Sequence, residues 1–202
     1  MPDRPEIDTT DLEFEMELWN RPFDRDRFRD LIYRLIVELQ LQGQIEHIKV
    51  SGAQRGRAEL FRTGRDGWPS PGVCLDIYAD ERCMDERLLR HELGHEADRR
   101  NPAMQYDPAI EQRWAGDNAW ALDMAANVSL DSRLGKRGLG KARRQKEFVE
   151  KFGADRLPEF QEAWANPPTT WLEIDALATR LSRLPSQPER PRSRDTRRRR
   201  GL

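Results

Sequence analysis

The sequence predicts an α+β protein in which a small, mostly antiparallel sheet packs against helices and a helical C-terminal part follows. Three observations support this fold class. Apolar residues recur every three or four positions between residues 28 and 39, three segments between residues 45 and 78 have strand character, and helical periodicity returns from about residue 84. A helix, three strands and further helices in this order are typical of a sheet covered by helices.

The first part of the chain holds the predicted strands. An acidic, irregular lead-in, residues 1–22, precedes the first predicted helix, and Gly43 ends that helix. The predicted strands are residues 45–50, 57–62 and 73–78; the first is rich in β-branched residues and the third alternates in polarity. We therefore expect a small sheet directly after the first helix.

Helical periodicity dominates the second part of the chain. A predicted helix runs from about residue 84 to residue 99, and Asn101-Pro102 ends it. Asp107-Pro108 is a good helix start, so the next helical region extends from there to residue 134, with Gly116 as a candidate break. Three further helices are predicted at residues 141–152, 157–165 and 171–184.

These elements divide the chain into four parts. They are the lead-in, residues 1–22; a main domain, residues 23–135; a helical extension packed on that domain, residues 136–184; and a tail, residues 185–202. The tail is rich in proline, serine and arginine, and it has few apolar groups to repay the entropy of ordering, so we expect it to be disordered. Its run of four arginines is a candidate contact for an acidic partner.

The composition is highly charged but balanced. Charged residues make up 35% of the chain, hydrophobic residues 37%, and the formal net charge is −1. A net charge so close to zero gives no strong attraction to nucleic acid or to a membrane. Cys74 and Cys83 are too few for a disulfide framework, and the acidic start lacks the apolar segment of a signal peptide. We therefore expect a cytoplasmic protein without a membrane partner or specific nucleic-acid partner.

The motif with the clearest chemistry is His-Glu-Leu-Gly-His at residues 91–95. Residues four apart lie on the same face of a helix, so the imidazoles of His91 and His95 can bind one zinc ion. Glu92 faces the water on such a metal and can take its proton when the water attacks a carbonyl. Gly94 lets another element approach this helix closely. The alternative is a surface helix in which the pair of histidines is coincidental.

A catalytic zinc site needs a third protein ligand, and a later helix supplies candidates. Asp123, Asn127 and Asp131 fall on one arc of the helix between residues 120 and 134, among apolar residues. Carboxylates in the middle of an apolar face are costly unless they are paired, protonated or bound to metal. The pattern therefore predicts that this helix completes a metal site.

Together the two motifs resemble the gluzincin clan of HExxH zinc metallopeptidases, particularly its small intracellular members, the minigluzincins. In that clan the third ligand is a glutamate on a later helix, followed by a small residue and then Asn or Asp. The resemblance matches Asp123 to the ligand, Ala126 to the small residue and Asn127 to the polar one. It implies Zn²⁺ as the cofactor and a zincin-like fold for the main domain.

The expected function is that of a zinc-dependent metallohydrolase, most specifically a metallopeptidase that acts on a peptide or protein with Glu92 as general base. Because Asp123 is one methylene shorter than the clan's glutamate, Asp131 and Glu111 are alternative third ligands. Two other functions compete: a non-catalytic metal-binding regulator or scaffold of the same fold, and a nucleic-acid module built around the arginine tail. Glu92 favours the enzyme, because structural zinc needs no general base.

Overall fold

The three-dimensional structure is a computed structural model of the chain. It describes residues 13–17, 24–52, 59–63, 73–79, 85–116 and 118–183. The predicted tail, residues 185–202, lies outside this part of the chain, and so do Cys83 and most of the predicted lead-in.

Seven α-helices run through the described part of the chain. They are α1 (Arg25–Glu38), α2 (Glu86–Arg100), α3 (Pro108–Arg113), α4 (Ala119–Leu134), α5 (Lys141–Phe152), α6 (Leu157–Ala165) and α7 (Trp171–Ser182). The predicted helices at residues 141–152 and 157–165 are confirmed residue for residue. The predicted break at Gly116, whose φ is +94°, separates α3 from α4. Of the helices described, none combines the length and the apolar character needed to cross a membrane.

The described strands pair in one sheet. They are β1 (Glu13–Glu17), β2 (Ile45–Gly52), β3 (Glu59–Thr63) and β4 (Val73–Ala79), in the spatial order β1–β2–β4–β3. The strand β2 is parallel to both of its neighbours, with Ile48 beside Phe14 of β1 and Leu75 of β4. The strand β3 is antiparallel to β4 and pairs Leu60 with Ile77.

The predicted fold class, α+β with a small, mostly antiparallel sheet, is wrong. Where side chains are described the protein is helical, and seven helices carry almost all of its buried residues. The strands pair mostly in parallel, and β1 lies inside the stretch that was predicted to be irregular. The error has a physical cause: side chains alternate with the same period in parallel and antiparallel strands, so alternation does not reveal the partner strand.

The core is formed by helices on either side of α4. On one side, α1 packs against α2, and their fully buried side chains include Phe28, Ile32, Leu35, Leu89 and Leu93. On the other side, α5, α6 and α7 pack against α4, and the aromatic rings of Phe148 and Phe160 lie 5.5 Å apart there. Burial of these apolar side chains is the main term that stabilises the arrangement.

Contacts at the N-terminus and along the body of α2 determine its position. Asp85 caps its N-terminus by accepting a hydrogen bond of 3.0 Å from the backbone N–H of Arg87. The buried Arg90 forms a two-pronged ion pair with Glu38 of α1, at 3.1 Å for each contact. One turn further along the helix, a Cβ on Gly94 would lie 3.0 Å from Leu130 of α4. The expected close approach at Gly94 is therefore confirmed, and α4 is held directly against the motif.

Candidate metal centre

The two histidines of the motif lie one turn apart on α2, as expected for residues four apart. Their Nε2 atoms are 3.2 Å apart, and their rings meet edge to face at an interplanar angle of 84°. His91 is buried and His95 is half-buried. Burial and the neighbouring His91 and Arg99 hold the pKa of His95 well below its usual range. His95 is therefore neutral at pH 7, with its imidazole in the form that binds metals.

A third donor atom comes from α4. The Oδ1 atom of Asn127 lies 3.0 Å from Nε2 of His91 and 2.9 Å from Nε2 of His95. Donors at about 2.0–2.1 Å from a tetrahedral zinc ion are about 3.3 Å from one another. The triangle of His91, His95 and Asn127 atoms is thus close to the size that such an ion requires.

Asp131 holds the ring of His91 from the other side. Its carboxylate is completely buried and accepts hydrogen bonds of 3.0 Å from Nδ1 of His91 and from the backbone N–H of Leu139, and another from Arg144. Burial alone would raise the pKa of Asp131, but the hydrogen bonds and charges of His91 and Arg144 lower it to about 2. A neutral His91 that donates a hydrogen bond from Nδ1 to this carboxylate would carry its lone pair on Nε2, the atom that faces His95 and Asn127.

With the proton of His91 on Nδ1, the contact between His91 and Asn127 brings two lone pairs together. The Nε2 atom of His91 and the Oδ1 atom of Asn127 are both acceptors, and they face each other at 3.0 Å. Two acceptors at this distance repel each other unless a donor or a cation lies between them. A donor proton or a cation would relieve this repulsion, and two imidazole nitrogens with an amide oxygen are atoms that can bind a cation.

Glu92 lies beside these residues and lines the same cavity of about 520 Å³. It is half-buried, and burial raises the pKa of its carboxyl above the ordinary value. A carboxylate whose pKa is raised toward neutrality is better matched to proton transfer than an ordinary surface glutamate.

Asp123 and Glu111, two of the candidate third ligands, line the same cavity as the histidines. Asp123 lines the cavity one turn before Asn127. The residue as a whole is exposed, but partial desolvation of its carboxyl group by the cavity wall raises its pKa. Within the described residues it forms no hydrogen bond with His91 or His95. The carboxylate of Glu111 accepts a hydrogen bond of 2.8 Å from the Tyr106 hydroxyl and another from Arg99. The assignment of Asp123 as a ligand stays a prediction.

Sequence reasoning missed Arg144, which lies 53 positions after His91 on α5. Its side chain is buried, and its Nη2 atom lies 2.9 Å from Nε2 of His91. One signal was present in the sequence: Arg144 shares a helical face with Phe148 and Phe152, at four-residue spacing on the buried stripe of α5. A charged residue on such a stripe requires a buried partner. Which residue is the partner depends on how the whole chain packs.

The donor set fits zinc with one departure. Within the described residues, no three histidine, cysteine or carboxylate side chains are grouped to hold a metal ion. The third donor at the histidines is instead the amide oxygen of Asn127, a neutral ligand where catalytic zinc sites more often use an acidic one or another histidine. The residues present therefore suit a zinc ion held by two imidazoles and an oxygen.

Comparisons with protein-family models, with curated proteins and with solved structures gave no match to this chain.

Proposed function

We propose that this protein is a zinc-dependent hydrolase, and most specifically a metallopeptidase. The observation that carries the proposal is the convergence of three donor atoms, from His91, His95 and Asn127, beside Glu92 in one cavity. Two imidazoles, an oxygen donor and an adjacent carboxylate are groups that metal-assisted hydrolysis uses. The resemblance of residues 91–95 to the gluzincin motif supports the same chemistry.

Each residue has a distinct role in the proposed reaction. His91 and His95 would hold the metal, and Asp131 orients His91 by accepting a hydrogen bond from its Nδ1–H group. When bound, zinc polarises the substrate carbonyl and makes a water molecule acidic near neutral pH. Glu92 accepts the proton of that water and returns it to the leaving amine.

The third position at the metal has two candidates, Asn127 and Asp123. The contacts favour Asn127, because its Oδ1 atom lies within 3.0 Å of both Nε2 atoms. Asp123 is favoured by its match to the ligand position in the gluzincin pattern. If Asn127 is the ligand, its neutral amide oxygen does not offset the charge of the metal, whereas the carboxylate of Asp123 would.

The proposed substrate is a peptide or protein, and the proposed location is the cytoplasm. Both follow from the motif and from a composition that indicates no disulfide framework. A non-catalytic metal-binding regulator is the competing function, and it requires no general base beside the metal.

The test is cleavage of a peptide library by the zinc-loaded full-length chain, with new termini identified by mass spectrometry. We expect cleavage by the wild type and a loss of about 10²- to 10⁴-fold in Glu92→Gln, because an amide cannot accept the water proton. Glu86→Gln, on the same helix but outside the lining of the cavity, is the matched control and should cleave normally. Equal cleavage by Glu92→Gln and the wild type would contradict the proposal.

A further inference from the structure

The charged side chains that line the cavity do not balance one another. Among the described residues, each arginine of the lining pairs with a carboxylate; these arginines are Arg99, Arg143 and Arg144, and their partners are Glu111, Glu147 and Asp131. Glu96 of the lining likewise pairs with Arg100. Two other lining carboxylates, Glu92 and Asp123, form no hydrogen bond or ion pair in the part of the chain that the structure describes. The cavity therefore has two carboxylates that no cationic side chain pairs with.

Of these two carboxylates, Asp123 has no role in the proposed reaction. Glu92 is the proposed general base. Asp123 lies one helical turn before Asn127, and the contacts of Asn127 with both imidazoles leave Asp123 outside the triangle of donor atoms. The Asp123 carboxylate is thus close to the metal centre and free to contact a substrate.

Asp123 lies near an arginine that is already committed to another carboxylate. Partial desolvation raises the pKa of Asp123, while of the two charges that act on it Arg99 lowers this pKa and Glu111 raises it. The guanidinium of Arg99 pairs with Glu111 at 2.6 Å and lies 5.6 Å from the centroid of the Trp171 ring. Two carboxylates therefore accompany one arginine in this part of the cavity, which leaves an excess of negative charge.

A cationic group on the substrate would supply the missing positive charge. An ionised carboxylate in a partly desolvated place gains a charge-assisted hydrogen bond from an ammonium or a guanidinium, and this bond is stronger there than in bulk water. A neutral group in the same place would leave the charge of Asp123 uncompensated, and an acidic group would be repelled.

We propose that Asp123 is a specificity-determining residue that binds a positively charged group of the peptide substrate. The group is either the N-terminal ammonium or the side chain of a lysine or arginine near the scissile bond. This inference rests on the proposed function, because it names the class of substrate for the same site.

The test compares kcat/KM for matched peptides cleaved by the zinc-loaded full-length chain. Peptides that the wild type cleaves in the library are resynthesised in two forms, one with norleucine for lysine and citrulline for arginine, the other with an acetylated N-terminus. Each form removes one source of positive charge. We expect one of them to lower kcat/KM of the wild type by about ten- to a hundredfold. The peptide Kd, measured in Glu92→Gln so that no cleavage occurs, should show the same preference.

The variant Asp123→Asn should lose the preference without losing the reaction. We expect it to cleave the charged peptide and its neutral counterpart equally well, at the rate that the wild type shows for the neutral one. The matched control is Asp155→Asn, since Asp155 is 76% exposed and lies outside the lining of the cavity; it should keep the wild-type preference. The zinc affinity of Asp123→Asn, measured by competition with a chromophoric chelator, should equal that of the wild type.

The outcomes separate this inference from the proposed function. Cleavage by the wild type without a preference for a cationic group, or a preference that persists in Asp123→Asn, overturns the inference and leaves the hydrolase intact. Loss of zinc from Asp123→Asn would make Asp123 a metal ligand and also overturns it. Absence of cleavage by the zinc-loaded wild type overturns both proposals together.

Discussion

At the scale of single residues, the third metal donor is a choice between two side chains of α4 that lie one turn apart. Asn127 contacts both imidazoles, whereas Asp123 is exposed at the wall of the cavity. We therefore predict that Asn127→Ala weakens zinc binding more than Asp123→Ala does, and that Asn127→Asp strengthens it by adding a negative charge. Chelator competition measures all three affinities on one scale.

The opposite order of zinc affinities would identify Asp123 as the third ligand, as the sequence resemblance indicated. If Asp123→Ala loses the metal while Asn127→Ala retains it, Asp123 is the ligand and the Asn127 contact is incidental. In that case Asp123→Glu should keep much of the affinity, because it restores the residue of the gluzincin pattern.

A second prediction at this scale concerns Gly138, which is buried against Asp131. Its φ of −87° suits any residue, but a Cβ there would lie 2.6 Å from Oδ1 of Asp131 and 3.0 Å from Cβ of Leu134. Gly138→Ala should lower the free energy of unfolding by about 1–3 kcal/mol, because Asp131 is held by three partners and has little room to move. Urea denaturation measures the change.

The control for Gly138→Ala is Lys136→Ala, an exposed substitution in the same turn, which should change stability by less than about 0.5 kcal/mol. If Gly138→Ala is equally neutral, the hydrogen bonds of Asp131 are more adaptable than the structure indicates.

The sequence allowed part of the candidate site to be predicted for a geometric reason. His91, Glu92 and His95 are close in sequence and belong to one helix, so helix geometry alone relates their side chains. Arg144 was not predictable because its contact with His91 depends on how α5 packs, which no local pattern contains.

At the scale of helices and strands, one carboxylate links the end of α3 to α7. Asp175 of α7 accepts hydrogen bonds from Nε1 of Trp114, at 2.7 Å, and from Arg113. Burial alone would raise the pKa of Asp175, but the hydrogen bonds from Trp114 and Arg113 lower it below the ordinary value. The folded state therefore favours the ionised form of this carboxyl group.

This pKa shift makes the junction sensitive to acid. A lowered pKa in the folded state contributes stability that is fully present above the unfolded value of about 3.9 and is lost as the pH falls through the folded value. We predict that Asp175→Asn destabilises the protein at pH 7 and that the difference from the wild type shrinks below about pH 4. Urea denaturation at pH 7 and pH 3 checks this.

Asp155→Asn is the comparison for Asp175→Asn, because the Asp155 side chain is 76% exposed. It should change stability little at either pH. A destabilisation by Asp175→Asn that is the same at pH 7 and pH 3 would show that the ionised form is not what the junction stabilises.

Prediction of these elements from the sequence succeeded where the signal is local. The bounds of α5 and α6 agree with the prediction, because the spacing of the apolar residues and the Gly or Pro near the helix ends can be read from a short segment. The sheet was mispredicted because β2 and β4 are neighbours in space with β3 between them in sequence. Pairing across such an excursion is decided by the packing of the whole chain.

At the scale of the whole molecule, the candidate metal centre lies where separate helices meet. The motif is on α2, the Asn127 oxygen and Asp131 are on α4, and Arg144, which pairs with Asp131, is on α5. Apolar residues on both sides of α4 hold these helices together, so the polar atoms of the centre are not required to form the core. A protein can keep such a convergence of buried polar groups when a bound ion compensates their cost.

The zinc content of the purified full-length chain tests the proposed metal site most directly, measured by mass spectrometry of the metal alongside the double variant His91→Ala/His95→Ala. We predict about one zinc per chain in the wild type and almost none in the variant, because two of the proposed donors are removed. Equal zinc in both proteins, or none in a folded wild type supplied with zinc, would contradict the account.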